Sequence, residues 1–290
     1  MIRTLALVCA LAITTPKISL LAQTSLVQVP TSVDAGLVMD AAGTEQRKSI
    51  GAIYLIVCPE TGAGTGFLLS SGVVVTNAHV VGTCGEQNLV GITASNQRIH
   101  FKKVITDQVR DLALLVPERN LGPGFKLAVK GNPLPGTTVS TWGYPLLYNG
   151  TSPLLSVGYI SGYRQDNSSG RAVKHIVVNG AFNHGNSGGP LLVSHSNEVI
   201  GIVVLTYHFY PPQVKQIIDL LSKQNWGVMM ASKRNSDGTS QQISEAQVTA
   251  MVLDEFYQKT QVMIGEAISV SELDAMLREH LSDLPRATAR

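Results

Sequence analysis

From residue 50 to residue 208, short runs of β-branched and apolar residues alternate with glycine, asparagine and serine, the pattern of strands joined by tight turns. The runs lie at 52–57, 66–69, 73–76, 88–93, 103–105 and 112–116. After a stretch rich in glycine and proline at 122–136 they resume at 138–142, 154–160, 175–178, 191–194 and 199–205. This predicts an all-β protein made of two successive sets of strands. The period then changes. Pro211 and Pro212 suit a helix start, and Val214, Ile217, Ile218 and Leu221 recur on one helical face. Residues 225–242 hold Ser, Asn, Gly and Gln and read as a linker. Ser244 with Gln247, and Ser271 with Asp274, mark two further helix starts. Val248, Met251, Val252 and Leu253 fall in the first of these helices, and Leu273, Met276, Leu277 and Leu281 in the second. Residues 243–290 thus read as a helical tail, either packed on the β region or serving self-association or docking.

The first residues carry one positive charge at Arg3, then an apolar run from Leu5 to Ile13 and a second at Leu20-Leu21-Ala22. This is the layout of a secretory signal peptide over 1–22, cleaved after Ala22. The run is too short to span a bilayer as a helix. Residues 23–45 show little periodicity and read as an extended arm. Export, to a periplasm or the exterior, changes the charge and cysteine arithmetic. Loss of Arg3 and Lys17 takes two from the 22 Lys+Arg and leaves them equal to the 20 Asp+Glu. A neutral chain with no basic run and no interleaved aromatics gives no reason to expect a nucleic-acid or anionic-membrane partner. Cys9 leaves too, so Cys58 and Cys84 remain, in a compartment where a disulfide is permitted. Cys58 closes a strand and Cys84 follows His79 by one short turn, so a bridge would staple the wall behind that histidine; two free structural thiols are the competing reading.

The candidate chemistry centres on Gly185-Asn186-Ser187-Gly188-Gly189-Pro190. Glycines on both sides let the backbone turn sharply and a substrate carbonyl come close. The amides of Gly185 and Ser187 are then candidates for an oxyanion hole, worth roughly 3 to 4 kcal/mol per donor. A serine needs a base. Val73-Val74-Val75-Thr76-Asn77-Ala78-His79 reads as a strand that ends at a histidine, which places an imidazole at the rim of a sheet. In Arg110-Asp111-Leu112-Ala113-Leu114 a carboxylate opens an apolar strand, where it would be half-buried and costly unless paired. Pairing Asp111 with His79 resolves that cost and fixes the tautomer that frees the other ring nitrogen. Asp107, among polar neighbours, reads as a solvated loop residue.

The three blocks, in the order His79, Asp111, Ser187, resemble the catalytic blocks of trypsin-like serine peptidases, the Deg/HtrA type in particular. Gly64-Thr65-Gly66-Phe67-Leu68-Leu69 and Glu198-Val199-Ile200-Gly201-Ile202 are similar to that group as well. The resemblance covers about 46–224. It implies two six-stranded antiparallel barrels of the chymotrypsin/trypsin type with their junction near 122–136 and a closing helix at 212–224, followed by the helical C-terminal extension. His79 and Asp111 then come from the first barrel, Ser187 from the second, and the cleft runs between them. A PDZ domain is usual in Deg/HtrA proteins, and the tail is too short and wrongly patterned for one.

The resemblance also implies where substrate side chains are read. The pocket walls would be Ala181, Phe182 and the residues up to His184, together with Val203, Val204, Leu205 and Thr206. Ala181 occupies the position that holds an acid in trypsin, so no charge awaits Arg or Lys, and burying either unpaired is costly. The run Gly201-Ile202-Val203 lacks the histidine of glutamyl endopeptidases. A broad preference for small or medium apolar residues before the cut follows. No His-Glu-x-x-His or Cys-x-x-Cys spacing occurs among His100, His175, His184, His195, His208 and His280, so no metal is expected. No phosphate loop or other cofactor motif is present either. The reading is an exported serine endopeptidase acting on protein or peptide substrates through an acyl-enzyme. The alternatives are an inactive binding or scaffold protein on the same fold and an esterase with the same triad.

Overall fold

The β-branched runs of the first half pair with their sequence neighbours into a closed ring. A computed structural model describes residues 42–285 apart from 61, 129–131, 146–151, 181, 183, 195–197, 209–211, 235–238 and 260. The proposed leader at 1–22 and most of the arm at 23–45 lie outside these residues. Helix α1 (Thr44–Gly51) enters the first barrel and buries Ile50. Strands β1 (Ile53–Cys58), β2 (Gly62–Leu68), β3 (Val74–Thr76), β4 (Val90–Ile92), β5 (Arg98–Asp107) and β6 (Leu112–Pro117) follow, with the four-residue helix α2 (Ala78–Val81) after β3. They close in the order β1-β2-β3-β6-β5-β4. Ile56, Phe67, Val74 and Leu114 are fully buried there. Each such side chain stabilises the fold by roughly 1.5 to 3 kcal/mol.

The second ring uses β8 (Thr138–Gly143), β9 (Leu154–Asp166), β10 (Val173–Gly180), β11 (Pro190–Val193), β12 (Glu198–His208) and β15 (Gln261–Ser269). The sheet runs β11-β8-β9-β10-β15-β12, closes through β11–β12 pairing, and carries the short β7 (Lys126–Leu127) parallel to β12. Its core holds Val139, Ile160, Val178, Phe182 and Ile200. The two six-stranded antiparallel barrels match the expected fold class.

The C-terminal expectations need correction. Residues 261–269 are a strand, not part of a helical tail, and they sit between β10 and β12, pairing with both. The second barrel therefore extends past the boundary at 224. The helix that follows its last strand is α5 (Val270–Glu279), not 212–224. Ser269 caps α5, accepting from the Ser271 amide, so the cap lies two residues before the serine expected to start it. Leu273 and Met276 of α5 are fully buried in the same apolar cluster as first-barrel residues.

Tyr210–Tyr257 forms a compact unit of its own, an insertion in the chain between β12 and β15. It contains α3 (Pro212–Ser222), the hairpin β13 (Met229–Arg234) and β14 (Ser240–Ser244), and most of α4 (Glu245–Lys259). The residues expected to be a linker thus hold a hairpin, paired from Met229↔Ser244 to Arg234↔Ser240. The helix start at Ser244 is a reciprocal capping box. The Gln247 amide donates to the Ser244 hydroxyl at 3.3 Å, and the Ser244 amide to Gln247 Oε1 at 3.0 Å. Among the described residues no helix is long and apolar enough to cross a membrane.

Candidate active site

The histidine is placed by the end of β3. Val74 and Val75 are held between β2 and β6, and the chain leaves the barrel at Asn77 and turns into α2, whose second residue is His79. Its imidazole is about half exposed, with Nδ1 2.7 Å from Asp111 Oδ2. The other carboxylate oxygen accepts the His79 amide at 2.9 Å, and the Asp111 carbonyl accepts from Asn77 Nδ2 at 3.0 Å. Asp111 is gripped at both ends. It has φ +53°, the left-handed region that a short polar side chain tolerates better than most. A carboxylate on Nδ1 orients the ring and leaves Nε2 as the open nitrogen.

The serine comes from the second barrel, in the turn before β11. Gly185 and Gly188 have φ of +96° and +86°. A Cβ on Gly188 would fall 2.0 Å from the Thr65 carbonyl and 2.2 Å from the Thr76 hydroxyl, so only glycine fits. Thr65 is the seam between the barrels. Its hydroxyl donates to the Gly185 carbonyl at 2.6 Å and accepts the Tyr144 amide at 3.0 Å, and its own amide donates to the Ser187 carbonyl at 2.8 Å. Its carbonyl accepts the Thr76 hydroxyl at 2.7 Å, on the strand that leads to His79. The serine loop and the histidine strand are thus bonded to one residue. Sequence reasoning met Thr65 only as part of a glycine-flanked stretch, and its fully buried hydroxyl is what sets it apart.

The Ser187 hydroxyl donates to the Val204 carbonyl at 3.3 Å, and among the described residues it makes no hydrogen bond to His79. The amides of Gly185 and Ser187 likewise donate to nothing among the described residues. Burial pushes the Tyr54 phenol up to about 12, and burial together with the Tyr54 phenol raises Tyr144 further. Neither phenol is a base at neutral pH.

Of the expected pocket walls, Ala181 lies outside the described residues. Phe182 and Val203 are buried in the second core, and Val204 is half-buried. Leu205 and Thr206 continue β12, paired with Glu266 and Gly265. Strand β15, which sequence reasoning missed, thus lies beside these residues. A Cβ on Gly265 would fall 2.4 Å from Phe182 Cδ2, so the ring lies directly on the glycine backbone. Asp107 also differs from expectation. It ends β5, mostly buried, and is paired with the buried Arg110 rather than solvated. Cys58 and Cys84 form a disulfide with Cα atoms 5.9 Å apart, joining the end of β1 to the segment after α2.

A trypsin-like peptidase domain family model matches residues 64–202. The chain is 36% identical over 155 residues to "Protease Do-like 1, chloroplastic" of Arabidopsis thaliana, covering 50% of this chain and 34% of the relative. It is 33% identical over 141 residues to "Probable periplasmic serine endoprotease DegP-like" of Marinomonas sp., covering 48% of this chain and 29% of the relative. It therefore spans about a third of the length of these relatives. The crystal structure of Rv3671c protease from M. tuberculosis, active form, superposes with a TM-score of 0.53 at 18% identity, over 86% of this chain and 89% of that one, a likeness of fold. Residues 64–202 match a trypsin-like peptidase domain, and the relatives named here are proteases of the Deg/HtrA kind.

Proposed function

We propose that the protein is a serine endopeptidase that cleaves protein chains through an acyl-enzyme. Ser187 attacks the scissile carbonyl, and His79 takes its proton at Nε2 and returns it to the leaving amine. Asp111 orients His79 and stabilises the imidazolium, and the Gly185 and Ser187 amides hold the oxyanion. The observation that carries this reading is the 2.7 Å contact of His79 Nδ1 with Asp111 Oδ2. It belongs to a carboxylate held in a left-handed backbone, while the glycine-flanked serine loop and the strand that leads to His79 are both bonded to Thr65. In the resting site the Ser187 hydroxyl bonds the Val204 carbonyl. Productive binding exchanges that bond for His79 Nε2, as catalytic hydrogen bonds often tighten only in the substrate complex.

The same Val204 bond is what favours the second reading, a binding protein that keeps the fold without turnover. Digestion separates the two. The endopeptidase reading expects casein to be cut by the wild-type chain and left intact by Ser187→Ala. Intact casein with the wild-type chain, alongside hydrolysis of a simple ester, would turn the assignment to an esterase.

The cleft reads small or medium apolar residues before the cut. A phenyl ring at 182 lying on Gly265 supports a short, uncharged pocket. Export to an oxidising compartment is supported by the Cys58–Cys84 disulfide and by the leader pattern at 1–22.

A further inference from the structure

Beside Asp111 in the chain is Arg110, one of the largest fully buried side chains of the protein. A guanidinium placed so deep needs paired anions. It has three carboxylates. Nη1 donates to Asp107 Oδ2 at 2.5 Å and to Glu279 Oε2 at 2.8 Å, Nη2 donates to Glu279 Oε1 at 2.6 Å, and Glu272 Oε2 lies 3.5 Å from Nε. Glu272 and Glu279 are both on α5. The other oxygen of Glu272 accepts the Lys174 amide of β10 at 3.2 Å, and the Ser169 hydroxyl, in the β9–β10 turn, donates to the Val109 carbonyl at 3.1 Å. The turn that ends in Asp111 is therefore fastened to α5 through one buried cation and to the second barrel through the Ser169–Val109 bond as well.

Asp111 itself sits at φ +53°. A non-glycine residue keeps such a conformation only where its surroundings over-determine it. Asp107 Oδ1 accepts the amides of Val109 and Arg110, both at 2.9 Å, which shapes the turn from within. The grip of α5 on Arg110 fixes it from outside. We propose that Arg110 is a positioning residue for Asp111, and that Glu272 and Glu279 of α5 act on catalysis through it. The inference rests on the triad reading above. It makes helix α5, nearly 170 residues from Asp111, part of what aligns His79.

The test uses the full chain and a fluorogenic peptide substrate, with Glu279→Gln, Glu272→Gln, Arg110→Gln and Arg110→Lys compared against Lys103→Ala and Ser187→Ala. Lys103→Ala cuts the Lys103–Asp283 ion pair of the same C-terminal segment without touching Arg110. Arg110→Gln is expected to lower kcat by about ten- to a hundredfold with KM within about twofold, the cost of a small misplacement of a reacting group. Glu279→Gln and Glu272→Gln lower it less, and Arg110→Lys recovers part of the loss. The downfield proton of His79 Nδ1–H shifts or broadens in the same order, while Lys103→Ala matches the wild type in both readouts. The carboxylate of Glu279 is half exposed, so Glu279→Gln carries the test if Arg110→Gln does not fold. Wild-type kcat and an unmoved proton in folded Glu279→Gln and Glu272→Gln, with Ser187→Ala inactive, would overturn the positioning role alone. Turnover persisting in Ser187→Ala would overturn the triad reading and this inference with it.

Discussion

The Thr65 hydroxyl donates to the Gly185 carbonyl at 2.6 Å, across 120 residues of sequence and from one barrel to the other. The same oxygen accepts the Tyr144 amide. Thr65→Val keeps the shape and removes both bonds, leaving a buried carbonyl and a buried amide without partners. Each unsatisfied group costs about 1 to 3 kcal/mol. The variant is expected to unfold at lower urea and to react more slowly with a fluorophosphonate, whereas Thr65→Ser keeps both properties. A Thr65→Val protein as stable and reactive as the wild type would mean that the bond does not hold the serine loop.

The pocket makes a separate prediction. Cuts in a denatured protein should fall after small and medium apolar residues, with discrimination of only about 10- to 200-fold per methylene. Phe182→Leu takes bulk from the ring that lies on Gly265 and should move the preference toward larger apolar residues. Sequencing the released peptides decides it. Cuts dominated by Lys, Arg or Glu would contradict the pocket reading.

Much of the fold was legible because its strands announce themselves. Val73 to Thr76 and Leu112 to Val116 are β-branched or apolar throughout, and the observed strands fall on these runs. Strand β15 was not legible. Its inward positions Gly265 and Ala267 are too small to mark a face, and Glu266, fully buried against Arg164 and His175, reads in sequence as a solvent residue. The hairpin β13–β14 hid in a composition typical of linkers. Within the site, His79 stood out because it ends an apolar run, Asp111 because it opens one, and Ser187 because glycines flank it. Asp107 and Arg110 did not, since the carboxylates that bury Arg110 on its far side come from α5, and no local pattern reports a partner so distant in sequence.

Acid should reach the Arg110 cluster only below the ordinary carboxyl range. Burial raises the Asp107 carboxyl, but hydrogen bonds and charge from Arg110 outweigh it and hold the group below its ordinary 3.8. Hydrogen bonding to Arg110 lowers Glu279 as well. A carboxyl lowered in the folded state binds fewer protons there than when unfolded, so its contribution is complete above the unfolded value and is lost as pH falls through the folded one. The stability gap between wild type and Asp107→Asn, measured by urea unfolding, should therefore be constant near neutrality and shrink as pH falls below about 4. A gap independent of pH down to acid unfolding would contradict the pairing.

The disulfide closes a loop of sequence separation 26 behind the histidine. Cys58→Ala with Cys84→Ala should cost roughly 3 kcal/mol of stability in the chain-entropy model. A melting temperature that neither the double substitution nor reductant lowers would show that the two thiols are unlinked.

The most direct measurement is the site of covalent capture. A fluorophosphonate should label the wild-type chain at one position, with the adduct on the peptide that contains Ser187 when the protein is digested and weighed. Ser187→Ala should show no adduct, and His79→Ala should lose turnover by about four or more orders of magnitude, the double variant being hardly worse, because triad members act as a unit. An adduct on another residue, or near-normal peptidase activity in Ser187→Ala, would contradict the account.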